Sequence, residues 1–404
     1  MGDFNALRVI EALRSGVPSL AVGEYFSEAR PDFLKKLRDR LEAVRQSGRS
    51  DGMLYTGRYG EGKTHLLNTV FSMASAENMA VSCVSLGKET PMDRPWLLYR
   101  KLAANTYLPG ARQPGFRIRL EELTQSSSAA NELLAYTGKE LDTDKLYYLL
   151  RAFFGTQEEE ERSLFLADLE GDFTTGAVIR RSYRRAAGTP AKFNQNFSKT
   201  KHSMDYFYFL SHLFPTLGYD GWVLLFDEAE LIGRLGKRAR AKSYREMQTF
   251  LKPPAKLERT FSLFALSSSY TEDVIDKRHE QENVQNLFAG DPDSLKAAQA
   301  TLNAILRAPE LVPLKKEEVI RVLMDIQRFH GLAYGWTPEV SADTLYRATE
   351  AGGYLLRTKI RAAIEFFDQL YQYGEAGKTR ISELGKESLE EEEETPELPE
   401  LEDI

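Results

Sequence analysis

The sequence predicts an α/β protein whose core is a parallel sheet flanked by helices, followed by a helical C-terminal domain. Three observations lead to this fold class. Residues 51–86 follow the pattern strand, glycine-rich loop, helix, strand, which is typical of a βαβ unit. Two later apolar runs, GWVLLFDEAE from residue 221 and FSLFALSSS from residue 261, each predict a buried strand. After residue 314 only helical periodicity remains.

Composition excludes several classes of protein. The 404 residues are 42 % hydrophobic and 28 % charged, which is ordinary for a globular protein of two or three domains. No apolar run approaches the roughly 20 residues of a membrane helix, and the N-terminus lacks a secretory core. The single cysteine, Cys83, excludes a disulfide framework within the chain, and the histidines lack metal-ligand spacing. We therefore expect a cytoplasmic protein without membrane contact, in which Cys83 is a buried, unreactive thiol.

The N-terminal segment, residues 1–50, has apolar residues at three-four spacing over 5–16 and 29–47, which predicts two helices joined by the turn-rich stretch GVPSLAVGEYF. The predicted core spans residues 51–314. It contains strands at 53–56 and 79–86 around a helix at 63–77, and later helices at 240–252 and 293–307. A short strand at 310–314 (ELVPL) closes it. Residues from about 110 to 205 show helical segments and no strand pattern, so we interpret them as an inserted helical block.

The C-terminal part divides into a predicted helical domain and a tail. Residues 315–378 contain helical patterns over 315–332 and 341–374 and form the predicted lid domain. Residues 379–404 are predicted to be an acidic disordered tail. Removing the ten acids that follow Lys386 changes the formal net charge from −7 to +3, so the folded body is close to neutral. Binding to nucleic acid is therefore not excluded by the overall charge.

The stretch YTGRYGEGKTH, residues 55–65, matches the phosphate-loop pattern G-x-x-x-x-G-K-[ST] without a mismatch. Such a loop turns successive backbone N–H groups toward a phosphate, and the helix that follows adds its positive end. We expect Lys63 to bridge the β- and γ-phosphates of ATP and Thr64 to bind Mg²⁺. The predicted cofactor-binding residues are Gly57, Arg58, Tyr59, Gly60, Glu61, Gly62, Lys63, Thr64 and His65.

The second half of the predicted site is WVLLFDEAE, residues 222–230. Acids at the end of a buried strand are costly unless they meet a cation or solvent. We therefore predict that Asp227 holds Mg²⁺ and that Glu228 polarises the attacking water. The alternative, acids that only start a helix at the surface, is disfavoured once the phosphate loop is considered. Glu230 either supports the neighbouring ligands or is an acid at a helix N-terminus, and the sequence leaves both open.

Three further features suit an AAA+ ATPase. Ser267, Ser268 and Ser269 end the strand expected between the two motif strands, where such proteins sense the γ-phosphate; we take Ser268 as the representative, with turn residues as the alternative. Arg357 begins the helical stretch LLRTKIRAAIEFF, where the lid presents an arginine to the γ-phosphate. Arg307, or else Arg278, is placed like an arginine finger supplied by a neighbouring copy of the chain. Surface arginines are the alternative for these positions.

One segment is strongly basic. Residues 179–202 contain seven arginines and lysines and no acid, with three aromatic residues interleaved. Arginines bind phosphates and aromatic rings stack on bases, so the segment is a candidate nucleic-acid surface. The alternative is an arginine-rich loop that pairs with the acids at 158–162 or with the acidic tail. The candidate nucleic-acid contacts are Arg180, Arg181, Arg184, Arg185 and Lys192.

Four segments in order carry a resemblance to a known family: LRVIEALRSGVPS, YTGRYGEGKTHLL, GYDGWVLLFDEAELI and GGYLLRTKIRAAIEFFDQL. Together they resemble the BREX-type ATP-binding proteins of phage-defence loci, the BrxC/BrxD group, which are AAA+-like P-loop ATPases. The resemblance covers nearly the whole chain except the tail. It implies ATP-dependent action in a defence system, beside a helicase or a DNA-modifying partner.

The sequence thus predicts an AAA+-like ATPase with ATP and Mg²⁺ as cofactors. It would couple hydrolysis to a conformational change that acts on DNA or on a partner protein, such as a helicase or another defence protein, and could form a homo-oligomer. One rival is a nucleotide-gated scaffold that recruits a helicase or nuclease with little turnover. The other is a DNA-loading ATPase of the replication-initiator kind. That rival should carry a winged helix after the lid, and residues 371–386 are too few for one.

Overall fold

The computed structural model of the protein describes residues 3–15, 30–350 and 355–376. Within these ranges the helices Phe4–Ser15 (α1) and Pro31–Ser47 (α2) precede the sheet. Strand Asp51–Gly57 (β1), helix Lys63–Ala76 (α3) and strand Met79–Ser85 (β2) form the predicted βαβ unit, with the phosphate loop between β1 and α3. The predicted connector at GVPSLAVGEYF and the acidic tail lie outside the described residues.

Within the described residues, five strands form one sheet in the order β1, β5, β4, β2, β3. The later strands are Thr106–Tyr107 (β3), Gly221–Asp227 (β4) and Thr260–Ser267 (β5). All neighbours pair in parallel except β3, which is antiparallel to β2. β5 therefore lies between the two motif strands, as predicted. The register pairs Gly57 with Ser267 and Ser85 with Asp227, which brings the carboxyl ends of the strands to one edge.

The strands are buried on both faces because alternate residues enter two different cores. Val223 and Leu225 pack in a cluster with apolar residues of α2 and α3. Leu224 and Phe226 point to the opposite face and pack with the inserted helices. Phe226 stacks on Phe264 of β5, with ring centroids 4.2 Å apart. This two-sided burial explains why the strands appear in the sequence as continuous apolar runs without alternation.

The chain between β2 and β4 is helical apart from β3, so the predicted insertion is confirmed. Its helices are Pro95–Ala104 (α4), Arg117–Glu121 (α5), Ser128–Thr137 (α6), Lys145–Gly155 (α7), Glu159–Ala167 (α8), Gly176–Ala187 (α9), Lys199–His202 (α10) and Met204–Thr216 (α11). β3 was missed because two residues are too few to show a periodic pattern. The core continues with Lys237–Leu251 (α12), Glu280–Leu287 (α13) and Pro292–Leu306 (α14). The predicted α/β fold class, a mostly parallel sheet flanked by helices with the phosphate loop after β1, is confirmed.

Two expected elements differ from the structure. The strand expected at 310–314 is reduced to one parallel bridge between Glu310 and Thr56. Thr56 donates to the carbonyl of Pro309 at 3.0 Å and Leu311 donates to Thr56 at 2.7 Å, but Pro313 has no N–H with which to continue the ladder. The helix expected over 341–374 is two helices, Ala342–Glu350 (α16) and Leu356–Tyr373 (α17), because Leu355 has an extended backbone.

The two N-terminal helices lie in different places. α1 packs with Lys316–Tyr334 (α15) and with α17, and its Val9 and Ile10 are fully buried in the cluster that these lid helices form. Arg14 of α1 is also paired with Asp368 of α17 at 2.8 Å. α2 instead packs against the sheet and α3. The division of the chain into domains at residues 50, 314 and 378 stays a prediction.

Candidate nucleotide-binding site

The phosphate loop connects the carboxyl end of β1 to the amino end of α3. Gly60 and Gly62 have φ of 78° and 88°, a left-handed conformation that side chains with a Cβ adopt at a cost. Gly62 directly precedes α3, so the loop ends on the positive end of a helix. Arg58 is exposed, whereas Tyr59 and His65 are half-buried. The backbone therefore has the curvature and the helix terminus that a phosphate requires.

Lys63 is held by three contacts at the start of α3. Its Nζ donates to the carbonyl of Gly57 at 3.3 Å and lies 3.6 Å from Glu230 Oε1. Its own carbonyl accepts from the Tyr55 hydroxyl at 2.8 Å. The Lys63 side chain is only 10 % exposed. The ammonium group is thus fixed beside the loop, on the side that faces β4.

The adjacent acids at the carboxyl end of β4, Asp227 and Glu228, have different environments. Asp227 is 6 % exposed and accepts hydrogen bonds from the Thr64 side chain and, at 2.9 Å, from the Glu228 amide. Burial raises the pKa of the Asp227 carboxyl, and the Thr64 hydrogen bond and the Lys63 charge oppose that shift. Glu228 is exposed and has φ of 52°, which is unusual for a residue with a Cβ and is often found at functional sites.

Asp227 and Thr64 fit a magnesium ion. A buried carboxylate beside a hydroxyl, at a loop shaped for phosphate, offers two oxygen ligands, and Mg²⁺ commonly takes one or two protein oxygens together with substrate phosphates. Across the described ranges no group of three or more His, Cys, Asp or Glu could hold a metal by itself. A magnesium ion here would therefore depend on the nucleotide.

The three serines at the end of β5 contact the other parts of the site. The Ser267 amide donates to Glu230 Oε2 at 3.0 Å, and the Ser268 amide donates to the carbonyl of Gly57 at 3.1 Å. The hydroxyls of Ser267 and Ser269 are 3.1 Å apart. The end of β5 is therefore hydrogen-bonded to the carboxyl end of β1 and to the segment that follows β4. The role of Ser268 as a phosphate sensor stays a prediction.

The last lid helix, α17, begins directly beside the phosphate loop. The Arg357 amide donates to the carbonyl of Gly60 at 3.3 Å, and its guanidinium donates to the Tyr59 hydroxyl at 3.1 Å. Leu355 and Leu356 lie next to the loop glycines, close enough that a Cβ on Gly60 would be 3.4 Å from Leu355. A change in the conformation of the loop would therefore alter the contacts of the first turn of α17. A role for Arg357 at the γ-phosphate stays a prediction.

Arg30 is a contact of the loop that the sequence did not reveal. It has φ of 61° and precedes α2. Its guanidinium donates to the carbonyl of Glu61 at 2.8 Å and to that of Val312 at 3.3 Å, and it lies 3.9 Å from the Glu61 carboxylate. Burial lowers the pKa of Arg30 and raises that of Glu61, each against the attraction of the other. The only signal in the sequence was an arginine directly before a helix that starts with proline.

The two candidate arginine fingers lie away from these contacts. Arg307 is exposed at the carboxyl end of α14. Arg278 is half-buried and donates to the carbonyl of Gly233 at 2.6 Å. Arg307 is therefore accessible to another chain, while Arg278 is engaged within its own. A role as an arginine finger stays a prediction for both residues.

A sequence model of the family described as "BREX system ATP-binding protein BrxC/D" matches residues 4–125 and 137–381. These ranges include the phosphate loop, the Asp227 strand and the first turn of the lid. The chain belongs to the BREX system ATP-binding BrxC/D family. This confirms the resemblance carried by the four sequence segments.

Other comparisons add little to this assignment. The BrxC/D-family chain has no match among curated proteins. Among solved structures it is similar to Cdc6p from Pyrobaculum aerophilum, with 12 % identity and a TM-score of 0.38. The alignment covers 86 % of this chain and 63 % of that one, so this chain spans less than two thirds of that protein. Of the helices in the described ranges, none is long and apolar enough to span a bilayer.

The basic segment of this BrxC/D-family chain is partly a helix rather than a loop. Arg180, Arg181, Arg184 and Arg185 all lie exposed on α9, and Lys192 is exposed in the stretch that follows. Arg185 pairs with Glu161 at 3.1 Å, one of the acids considered as the alternative partner. Arg180 lies over the ring of Phe193, 4.8 Å from its centroid.

The interleaved aromatic residues pack against other rings of the insertion. Tyr183 is only 9 % exposed, and its ring packs 4.9 Å from that of Tyr148. Phe193 packs on the same Tyr148 ring at 5.1 Å, and Phe197 packs on Phe173 at 5.8 Å. The helical spacing turns Tyr183 toward the core while the arginines face outward. Phe193 and Phe197 lie beyond α9 and are half-buried, so stacking of these two rings on bases stays a prediction.

Proposed function

We propose that this protein is an AAA+-like ATPase of an anti-phage BREX system, which couples binding and hydrolysis of Mg·ATP to a conformational change. The observation that carries the proposal is the convergence of three groups at the carboxyl edge of the sheet. These are the left-handed glycine loop, the buried Lys63, and Asp227 hydrogen-bonded to Thr64. A phosphate and its magnesium ion need both a cationic and an anionic partner, and this edge supplies them.

In this proposal the protein's residues position and neutralise charge, without a covalent intermediate. ATP supplies the phosphoryl group and Mg²⁺ the charge neutralisation. Lys63 and the loop amides bind the phosphates, Asp227 and Thr64 hold the metal, and Glu228 orients the attacking water. Ser268 and Arg357 respond to the γ-phosphate. A neighbouring copy supplies Arg307, so the site would be completed in a homo-oligomer.

Phosphate release from ATP tests this proposal. We expect purified wild-type protein to release phosphate, and Lys63→Ala or Glu228→Gln to abolish release while circular dichroism stays unchanged. Lys139→Ala, at an exposed position in the insertion, removes the same charge and should match the wild type. A wild-type rate equal to that of Lys63→Ala, with and without DNA, would contradict an ATPase.

The scaffold alternative makes a different prediction for the same two variants. If nucleotide binding alone recruits a helicase or nuclease, Glu228→Gln should retain phage protection in cells, whereas Lys63→Ala should lose it. An ATPase that needs turnover should lose protection with either variant. A plaque assay with both variants therefore separates the two functions.

We further propose that the exposed arginines of α9 contact DNA through its phosphates. Four exposed arginines on one helix support this contact with the phosphates. Reversing Arg180, Arg181, Arg184 and Arg185 should weaken DNA binding and lower the slope of log K against log salt by up to about 4. Reversing Lys35 and Lys36, on α2, is a control for nonspecific charge. An unchanged slope would exclude α9.

A further inference from the structure

Glu230 links the lysine of the phosphate loop to the strand between the motif strands. Its Oε1 lies 3.6 Å from Lys63 Nζ, and its Oε2 accepts from the Ser267 amide at 3.0 Å. The Glu230 side chain is only 14 % exposed and that of Lys63 only 10 %. One carboxylate thus holds both the group expected to bind phosphate and the end of β5.

The two acids near the end of β4 cannot have the same task. Glu228 is exposed, whereas Glu230 points inward to Lys63. Burial raises the pKa of the Glu230 carboxyl, and the attraction of Lys63 opposes that shift, so the ion pair with Lys63 compensates a desolvated charge. Glu230 therefore needs a cation, and Lys63 is the one beside it.

A nucleotide would have to compete for this cation. Lys63 contacts Glu230 in the structure, and in the proposed ATP site it binds the β- and γ-phosphates. Any shift of Lys63 toward phosphate leaves a buried carboxylate less compensated and brings a second negative group near it. The carboxylate therefore opposes phosphate binding and keeps the ammonium group in place until phosphate arrives.

We propose that Glu230 is a positioning residue that competes with the terminal phosphate of ATP for Lys63 and transmits the exchange to β5 through the Ser267 amide. The inference rests on the proposed ATP site. Of the two roles that the sequence left open, Glu230 has both: it lies in the first turn of the short helix Ala229–Arg234, and it supports Lys63.

Glu230→Gln separates the charge from the hydrogen bond. The Gln carbonyl oxygen can still accept from the Ser267 amide, while the competition for Lys63 disappears. We expect Glu230→Gln to bind ATP about tenfold more tightly than the wild type, from the loss of a partly screened like-charge repulsion. ADP, which lacks the γ-phosphate, should gain less. Equilibrium titration with a fluorescent ATP analogue and with its ADP counterpart, in EDTA and then in Mg²⁺, measures the two affinities.

Two variants control the measurement. Glu230→Asp keeps the charge and should stay within about threefold of the wild type. If altered packing rather than lost charge caused the tighter binding, Glu230→Asp would change the affinity for ATP as Glu230→Gln does. Glu122→Gln removes an equal charge from an exposed acid that pairs with Arg119 on the insertion, and should leave both affinities unchanged.

The outcomes separate this inference from the proposed function. Tighter ATP binding by Glu230→Gln, with a smaller gain for ADP, supports it. Unchanged or weaker binding, in a variant that melts like the wild type, overturns it. Weaker binding only in Mg²⁺ also overturns it, because Glu230 would then be a metal ligand. If Lys63→Ala binds ATP as well as the wild type, the proposed ATP site itself fails.

Discussion

Replacing Arg30 by methionine tests whether the phosphate loop depends on a buried ion pair. The Arg30 and Glu61 side chains are 9 % and 7 % exposed, and the guanidinium donates to the Glu61 carbonyl at 2.8 Å. Arg30→Met keeps the aliphatic stem and removes the charge, which leaves the Glu61 carboxylate buried without its cation. Breaking a buried pair in this way typically costs 3–5 kcal/mol. Because the two charges are 3.9 Å apart, we expect about 3 kcal/mol here.

The pair itself should contribute much less than this loss. Burial lowers the pKa of Arg30 and raises that of Glu61, so desolvation outweighs their mutual attraction on both sides. Removing both charges, in Arg30→Met with Glu61→Gln, should therefore return the free energy of unfolding to within about 1 kcal/mol of the wild type. Such a recovery would identify the lone carboxylate as the cause of the destabilisation.

Urea unfolding followed by circular dichroism measures these free energies. Arg119→Met is the matched control because Arg119 and Glu122 form a pair at 2.9 Å that is 42 % and 55 % exposed. Exposed pairs contribute about 0–1 kcal/mol, so this variant should stay close to the wild type. A loss with Arg30→Met no larger than that with Arg119→Met would refute the reasoning, as would a double variant less stable than Arg30→Met alone.

Three further predictions concern backbone, pH and thiol chemistry. Gly62→Ala should weaken ATP binding at least about tenfold, because a φ of 88° strains alanine where the loop must curve. Gly188→Ala is the control: its φ of 69° is also left-handed and its Cβ would meet no neighbour, so ATP binding should not change. Burial raises the pKa of the Asp205 carboxyl, so the native state binds this proton more tightly than the unfolded state does. The wild type should therefore gain stability relative to Asp205→Asn as the pH falls through the native pKa. A difference in melting temperature between the two proteins that stays constant with pH would contradict this. Cys83 is half-buried rather than fully buried as predicted, and desolvation raises the pKa of its thiol to about 12. Native protein at pH 8 should therefore react with a thiol reagent at least about a hundredfold more slowly than unfolded protein, and equal rates would contradict this pKa shift.

Sequence patterns predicted the elements that depend on near neighbours. The phosphate loop, its helix and β4 are each specified by residues within a few positions of one another, and the structure has them where the patterns indicated. The same local reasoning failed where pairing depends on distant groups. β3 is two residues long and exists because β2 offers it an edge, and the segment at 310 makes one bridge because prolines flank it. Tyr183 of the basic segment faces the core because neighbouring helices cover it.

The candidate site divides in the same way. The residue types and spacing around Lys63 and Asp227 determined that this chain would have a phosphate loop and an acidic strand end. Only the tertiary structure decided which groups meet there. Arg30 reaches Val312 across 282 positions and Arg357 reaches Tyr59 across 298, and Glu230 faces Lys63 rather than solvent. The physical reason is that such contacts arise from how the sheet packs against α2 and the lid, and a side chain's partner across a packed interface leaves no periodic trace in the sequence.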